Sequence, residues 1–596
     1  MADEHAARRA AIEGWRPIAE QLAWTTPWTE LFRDHPPYHD WFVGGELNLA
    51  ANCTDRHLSD RAEQVAIWWE GEPGDRRVLT FAELHAQVVA LAAGLRRLGL
   101  GIGDRVALHL GWVPETVVSL LAALRIGAEV TVIPVALPGE ALSSRLADFR
   151  PRVLFTQDGG WRRGAILPLK ARADEAIEAA SGLQHTIVLR RTGVHVDWFE
   201  GDLWYDEVVG DEAFDVAEPE PLPAQHPALA VYVANRRGRP VAIRLGAANL
   251  AAVALANHRY AMCEGEVFWG AADVAWLGAQ AHGIFGPLLA GTSSVMYEGT
   301  LDYPDAARFW QIIERYSVSS LVTSPSIVRA LQGWSLTAPG GSASLRRVVT
   351  IGERLEPELR EWLAGALGDR VTLADGWGQM ELGGIVAYDL PEPPPMLPNP
   401  GFAILDDQGD PVPDGSPGEW VMLHPWVGVM RGVEAGDEDP TSHHWERHPG
   451  RYATGDLARR GDRGDVEFLG RADEVISVSG QLVSLTEVRD ILRDQPFVHW
   501  AEAFERIDAR LGRSVAAAVV LEPGAPDDAA SLRELQDSVR ELLGGLSRPR
   551  ALLILDRFGD DVSDPLLRRS LGVIAATAGS DPLSVTWEQV RAAARA

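Results

Sequence analysis

Only one side chain in the 596 residues carries a primary amine: Lys170, in the phrase LPLKARADEA. Every other basic residue among the 55 is an arginine. Chemistry that requires a lysine must therefore use Lys170 or be absent. Arginine can replace lysine as a phosphate-binding cation, but not as a point donor on a flexible four-carbon stem. A GC-rich codon bias would give the same count with no function attached. Three arginines, Arg236, Arg237 and Arg239, crowd the segment Val231-Tyr-Val-Ala-Asn-Arg-Arg-Gly-Arg-Pro-Val241. Together they could form a cationic cradle for an anion, and a solvated basic turn on an acidic protein accounts for them equally well. The run Ser442-His-His-Trp-Glu-Arg-His448 places two imidazoles four apart with a carboxylate between them. Pro449 ends any helix there and no third metal ligand is evident, so an exposed loop is expected. GGSAS at 340–344 and GTSSV at 291–295 lack the strand-turn-helix setting of a nucleophile elbow. Cys53 and Cys263 cannot make a disulfide framework or a cysteine-rich zinc site. Many of the 21 tryptophans read as core.

The elements that must position these residues follow an α/β rhythm. Residues 78–99 have the 3.6-residue apolar spacing of an amphipathic helix ending at a glycine. A turn and a buried strand follow in GIGDRVALHLG, then a helix in PETVVSLLAALRIGA and a strand in EVTVIPV. Helices alternating with β-branched runs imply layers around a largely parallel sheet. The same rhythm returns at 227–300 and 305–360, and proline-rich surface loops are expected at 217–227 and 391–400. From about 401 shorter strands and turns predict a β-rich portion. Beyond about 474 the order helix, strand, helix, strand predicts a small α+β domain. A net charge of −29 without a basic block argues against a nucleic-acid or anionic-membrane partner. No apolar run reaches the ~20 residues of a membrane helix. The N-terminus lacks the apolar stretch of a signal peptide, so a soluble cytoplasmic protein is expected.

Longer phrases carry more. DWFVGGELNLAANCTDRHL at 40–58, AIWWEGEPGDRRVLTFAEL, GDRVALHLGWVPE, TQDGGWRRG and LPLKARADEA stand in one order. GPLLAGTSSVMYEGTLDYPDAARFWQIIERYSV, SLRRVVTIGERL, DGWGQMELGG, RYATGDLARR and GRADEVISVSG follow. Nearly the whole chain thus resembles the acetyl-CoA synthetase branch of the adenylate-forming enzymes. The resemblance implies a large domain over residues 1–472, built from two sheet subdomains and a β-rich portion, and a small mobile domain over 473–596 with Asp473 at the hinge. It implies ATP, AMP, Mg²⁺ and CoA as cofactors, and a lysine bonding both carboxylate and α-phosphate in the transition state.

Residue by residue, the implied site is split. Gly352 and Glu353 stand where the family lines the adenine, and Asp375 and Trp377 occupy the aromatic segment beside it. Asp456 matches the acceptor of the ribose hydroxyls, and Arg471 follows it. These positions could equally be inherited scaffold. On the phosphate side, Val233 and Ala234 replace hydroxyl residues, Asn235 replaces a glycine, and Arg236 and Arg237 replace small residues of a loop whose backbone must approach oxygens closely. Pro565 takes the place of the catalytic lysine, after Asp560, Asp561 and Asp564. Met380 replaces a threonine and Leu482 an arginine, while Glu381 keeps the carboxylate for Mg²⁺. On the CoA side Arg162, Ser479 and Gly480 match, and Val135-Ala136 replaces a glycine pair. Gly378, where acetate-specific members carry a second tryptophan, implies an enlarged acyl pocket, unless another side chain refills the space.

Three functions follow as expectations. The first is a diverged synthetase-like protein that has lost ATP-dependent adenylation and binds a nucleotide or acyl ligand, its catalytic candidates being Arg236, Arg237, Arg239 and Glu381. The second is a working acid–CoA or acid–amine ligase for an acyl group larger than acetate, with arginines supplying the missing charge. The third is a non-catalytic partner protein.

Overall fold

Two sheets dominate the fold, and the sequence explains why both are mostly parallel. Short runs of Val, Ile and Leu, buried along their length, alternate with amphipathic helices that can cover both faces. The computed structural model describes residues 2–210, 218–235, 238–263, 265–334, 343–389, 397–406, 408–433, 441–461, 466–471, 475–479, 481–508, 512–558, 565–577 and 582–595. In the first sheet Arg105–Leu108 is flanked by Val153–Gln157 and Glu129–Val132, all parallel. The antiparallel pair Pro227–Asn235 and Gly238–Gly246 closes its edge. In the second, Ser293–Tyr297, Val267–Gly270, Ser320–Thr323, Arg347–Ile351 and Thr372–Gln379 run parallel in that spatial order.

The expected helix at 78–99 is Phe81–Arg97. Its start is fixed by a capping box: the Thr80 hydroxyl accepts from the Glu83 N–H at 3.2 Å, and the Glu83 carboxylate accepts from the Thr80 N–H at 2.8 Å. Pro114–Arg125 has proline at its first position, where the missing N–H costs nothing. Both helices pack into one apolar core shared with the first sheet, including Leu84, Val88, Leu91, Val117, Leu121 and Val130.

Past residue 401 the strands Phe402–Leu405, Gly418–Met422, Tyr452–Arg460 and Val466–Arg471 form an antiparallel sheet. The last portion carries the hairpin Val475–Val478 with Gln481–Ser484, and then a four-stranded sheet. Helices Leu485–Arg493, Ala529–Leu543, Pro565–Thr577 and Trp587–Arg595 accompany it. No helix among the described residues is long and apolar enough to cross a membrane. The segment 442–448 departs from expectation. It contains the short helix His443–Glu446, and His444 and His448 are buried rather than in an exposed loop. Nδ1 of His444 is 2.6 Å from the Ala453 carbonyl, and Nε2 of His448 is 3.3 Å from Glu419.

Candidate functional site

A cleft of about 820 Å³ opens beyond the carboxyl ends of the parallel strands of both large sheets. Each strand delivers its next few residues to the wall: Gly111 and Trp112 after Arg105–Leu108, Trp161 and Arg162 after Val153–Gln157, Asp273 and Trp276 after Val267–Gly270. Glu298 and Thr300 follow Ser293–Tyr297, and Ser326 and Arg329 follow Ser320–Thr323. Such a crevice is where α/β sheets place ligands, because loops there are free to vary while the strands hold them in register. Ser479, in the turn of the hairpin Val475–Val478/Gln481–Ser484, closes one side with a left-handed backbone (φ 52°).

The charged groups on this wall are held by specific partners. Arg191 donates to Oε2 of Glu298 from Nε at 2.8 Å and from Nη2 at 2.6 Å. Oε1 of Glu298 is buried without a hydrogen-bond partner, and so is Oγ1 of Thr300. Burial raises the Glu298 carboxyl above the ordinary range. Arg163, in a left-handed conformation (φ 53°), pairs with Asp302 at 2.7 Å across the cleft mouth, beside the exposed Arg162. Arg329 donates to both oxygens of Glu356, and its Nη1 stands 4.0 Å from Oε2 of Glu353. Burial pushes the Glu353 carboxyl up to about 7. The small portion leans on this corner. A Cβ at Gly512 would stand 2.3 Å from Nη1 of Arg329.

With this geometry in place, comparison with known proteins is decisive. Residues 54–433 match the family model described as "AMP-binding enzyme", and residues 11–53 match "Acetyl-coenzyme A synthetase N-terminus". The chain belongs to the AMP-binding enzyme family. It is similar to proteins named acetyl-coenzyme A synthetase: 35% identical to that of Streptomyces avermitilis, covering 94% of this chain and 89% of the relative. It is 36% identical to that of Mycobacterium bovis (94% and 90%) and 34% identical to that of Pyrobaculum arsenaticum (95% and 88%).

Within this AMP-binding family member, the positions expected from sequence fall into separate places. Arg162 and Ser479 line the cleft, and Val135 lies on its wall. Gly352, Glu353, Asp375, Trp377, Asp456 and Glu381 are not among its lining residues. Asp375 is committed locally. One oxygen accepts from the Thr350 hydroxyl at 2.6 Å and the other from the Leu355 N–H at 2.9 Å, and burial pushes its carboxyl up to about 6. Nε1 of Trp377 donates to Oδ2 of Asp456 at 2.9 Å, and its ring packs edge-on to Phe402. Gly352 has φ +95° at the end of Arg347–Ile351. Glu381 is buried in the short helix Met380–Leu382, and among the described residues no three carboxylate, imidazole or thiol groups gather as a metal site. Arg236, Arg237, Asp473 and Gly480 lie outside the described residues, as do the side chains of Arg239, Arg471, Leu482 and Pro565.

One expectation requires correction. Gly378 does not enlarge a pocket: a Cβ there would lie 2.1 Å from the Gly384 carbonyl oxygen and 2.6 Å from Cα of Ile385, so backbone already fills the space. The bulge between Trp377 and Gly378 in the pairing with Gly384–Tyr388 brings that strand in. The tryptophans divide between core and cleft. Trp15, Trp269, Trp426 and Trp587 are fully buried, but Trp112, Trp161, Trp276 and Trp334 stand half-buried on the cleft wall. Their positions follow strands of two different sheets, so no local periodicity reveals that they meet.

Proposed function

We propose that this chain uses the adenylate-forming fold without the ATP-dependent step. It holds a ready-made acyl ligand of thioester type in the cleft instead of building an acyl-adenylate. The observation that carries this reading is the pairing of Pro227–Asn235 with Gly238–Gly246. Val233 pairs with Val241 and Asn235 with Gly238, so the pairing runs up to residues 236–237, with a register shift between Val233 and Asn235. A phosphate loop needs consecutive backbone N–H groups free to point at oxygens. An antiparallel ladder commits the N–H groups of alternate residues to the opposite strand, so part of the donors along this segment are not free. Val233 and Ala234 also offer no hydroxyl, and on this reading no step is routed through ATP.

Other positions support the same reading. Pro565 is the first residue of the helix Pro565–Thr577, a place that favours proline and offers no ammonium. Lys170 cannot substitute. It is fully buried between Asp174 at 2.5 Å and Asp202 at 2.8 Å, on the edge of the first sheet. Asp375, Trp377 and Asp456 satisfy one another or their neighbours. By contrast, the cleft suits a pantetheine-like arm. Arg162 at its mouth offers a guanidinium to the CoA 3′-phosphate, and Ser479 lies along the passage inward.

A thermal-shift panel of ATP, AMP, CoA and a non-hydrolysable acyl-adenylate tests the assignment. Ligand at ~100 times its Kd stabilises by about 2.7 kcal/mol, which is readily measured. CoA is expected to raise Tm, ATP is not, and Arg162→Ala should weaken the CoA shift. A shift from ATP of equal size would reverse the assignment. The ligase reading is favoured by the similarity to synthetases over 94% of the chain and by the retained Glu381. It predicts AMP formation with some carboxylic acid.

A further inference from the structure

A short hairpin, following Val153–Gln157 of the first sheet, crosses the rim of the cleft. Gly160–Arg162 pairs with Ala165–Leu167, Arg162 opposite Ala165, so the turn is the two residues Arg163 and Gly164. Both have positive φ, 53° and 73°, the turn whose twist matches that of its flanking strands. Arg162 is thus the last strand residue before the tip, and its exposed guanidinium makes no hydrogen bond or ion pair among the described residues. The base of the hairpin is held by its own sheet. Asp158, which precedes it, accepts from the N–H of Arg191 at 2.9 Å and of Gly193 at 2.7 Å, in the loop after His185–Leu189.

The tip is held from the other sheet. Glu72 stands in the turn between Val65–Glu70 and Arg76–Thr80, at one edge of the second sheet. Its buried carboxylate accepts from the Gly164 N–H at 2.8 Å through Oε1 and from the Thr300 N–H at 3.2 Å through Oε2. Each oxygen therefore holds a loop from a different sheet. The approach is close on both sides: a Cβ at Gly299 would lie 2.8 Å from Cβ of Glu72, and one at Gly164 would lie 2.4 Å from the Tyr303 hydroxyl. Only a carboxylate accepts from both N–H groups, because an amide replaces one acceptor with a donor.

Resting on the thioester reading above, we infer that Glu72 is a positioning residue: by pinning the hairpin tip to the second sheet it holds Arg162 at the cleft mouth for the 3′-phosphate of CoA. Glu72 itself touches no ligand. A hairpin already ordered loses little freedom when the phosphate arrives, whereas a loose one must be ordered by the ligand, which weakens binding.

The test is calorimetric titration of the full chain with CoA and with dephospho-CoA, which lacks only the 3′-phosphate. The wild type is expected to bind CoA about tenfold or more tightly than dephospho-CoA. Glu72→Gln keeps the shape of the side chain and should shrink that ratio to about threefold or less, while dephospho-CoA affinity changes by less than about twofold. Gly164→Ala attacks the same contact from the exposed tip and should do likewise, so either variant suffices should the other fail to fold. Arg162→Ala should abolish the ratio, and adding Glu72→Gln to it should take the ratio no lower. Three results overturn the role of Glu72 and leave the thioester reading standing: equal binding of the two ligands by the wild type, a ratio unmoved in the folded variants, or equal weakening of both ligands. Absence of binding of either ligand by the wild type at millimolar concentration overturns both.

Discussion

A methyl group at Gly378 would meet the Gly384 carbonyl oxygen at 2.1 Å, and that contact is with backbone. The neighbour cannot rotate away, so even Gly378→Ala must shift the strand Gly384–Tyr388 and should cost roughly 3 kcal/mol or more. Chemical denaturation checks this, and Gly378→Trp should fail to give soluble folded protein. Lys170 makes the converse case. Its ammonium is the cation beside Asp202, whose side chain is 2% exposed. Lys170→Met leaves that carboxylate buried beside Asp174 and is expected to destabilise by about 3–5 kcal/mol, with no effect on ligand binding in the cleft. At this scale the sequence was informative about identity and silent about surroundings. The loss of a side chain at 378 was legible, but the backbone bulge that fills its place was not, because bulges are set by pairing with a strand that follows it in the chain.

The hairpin Pro227–Asn235/Gly238–Gly246 gives the element-scale test of the proposal that no phosphate loop operates here. If missing hydroxyls alone explained the loss, Val233→Thr with Ala234→Ser would restore pyrophosphate exchange. Because part of the backbone donors is committed to the ladder, the double variant is expected to stay inactive, and the hydroxyl placed at the buried Val233 position should cost about 1–3 kcal/mol of stability. Adding Pro565→Lys should not rescue it. Elements themselves were readable wherever period and caps agreed, as in Phe81–Arg97 between Thr80 and Gly99. The helices Leu485–Arg493 and Ala529–Leu543 were legible for the same reason. The cleft was not legible. Arg162 and Ser479 could be placed by resemblance, whereas Trp112, Trp161, Trp276 and Trp334 become one surface only when two sheets align their carboxyl ends.

Across the whole molecule, acid sensitivity follows from histidines buried without charge. Burial lowers His109 to about 4 and His258 and His282 to about 3. An unfolded chain takes up these protons near pH 6.5 while the folded one does not. The stability they contribute is therefore complete above about pH 6.5 and declines as pH falls toward the folded values. Each histidine should cost roughly 2 kcal/mol between neutral pH and pH 5. Glu353 and Asp375, raised to about 7 and about 6, shift the opposite way and offset part of the loss. His282 has neither ring nitrogen hydrogen-bonded. His282→Leu should therefore flatten the fall in unfolding free energy between pH 7 and pH 5 by about 2 kcal/mol relative to the parent. An unchanged slope would mean that this imidazole is not held neutral.

The central claim is that the fold persists while the nucleotide chemistry does not. Carboxylate-dependent exchange of labelled pyrophosphate into ATP, run with purified full-length chain and a panel of aliphatic and aromatic acids, measures it most directly. No exchange above the acid-free blank is predicted for any of them. Exchange dependent on an acid, with one AMP released per carboxylate consumed, would contradict the account.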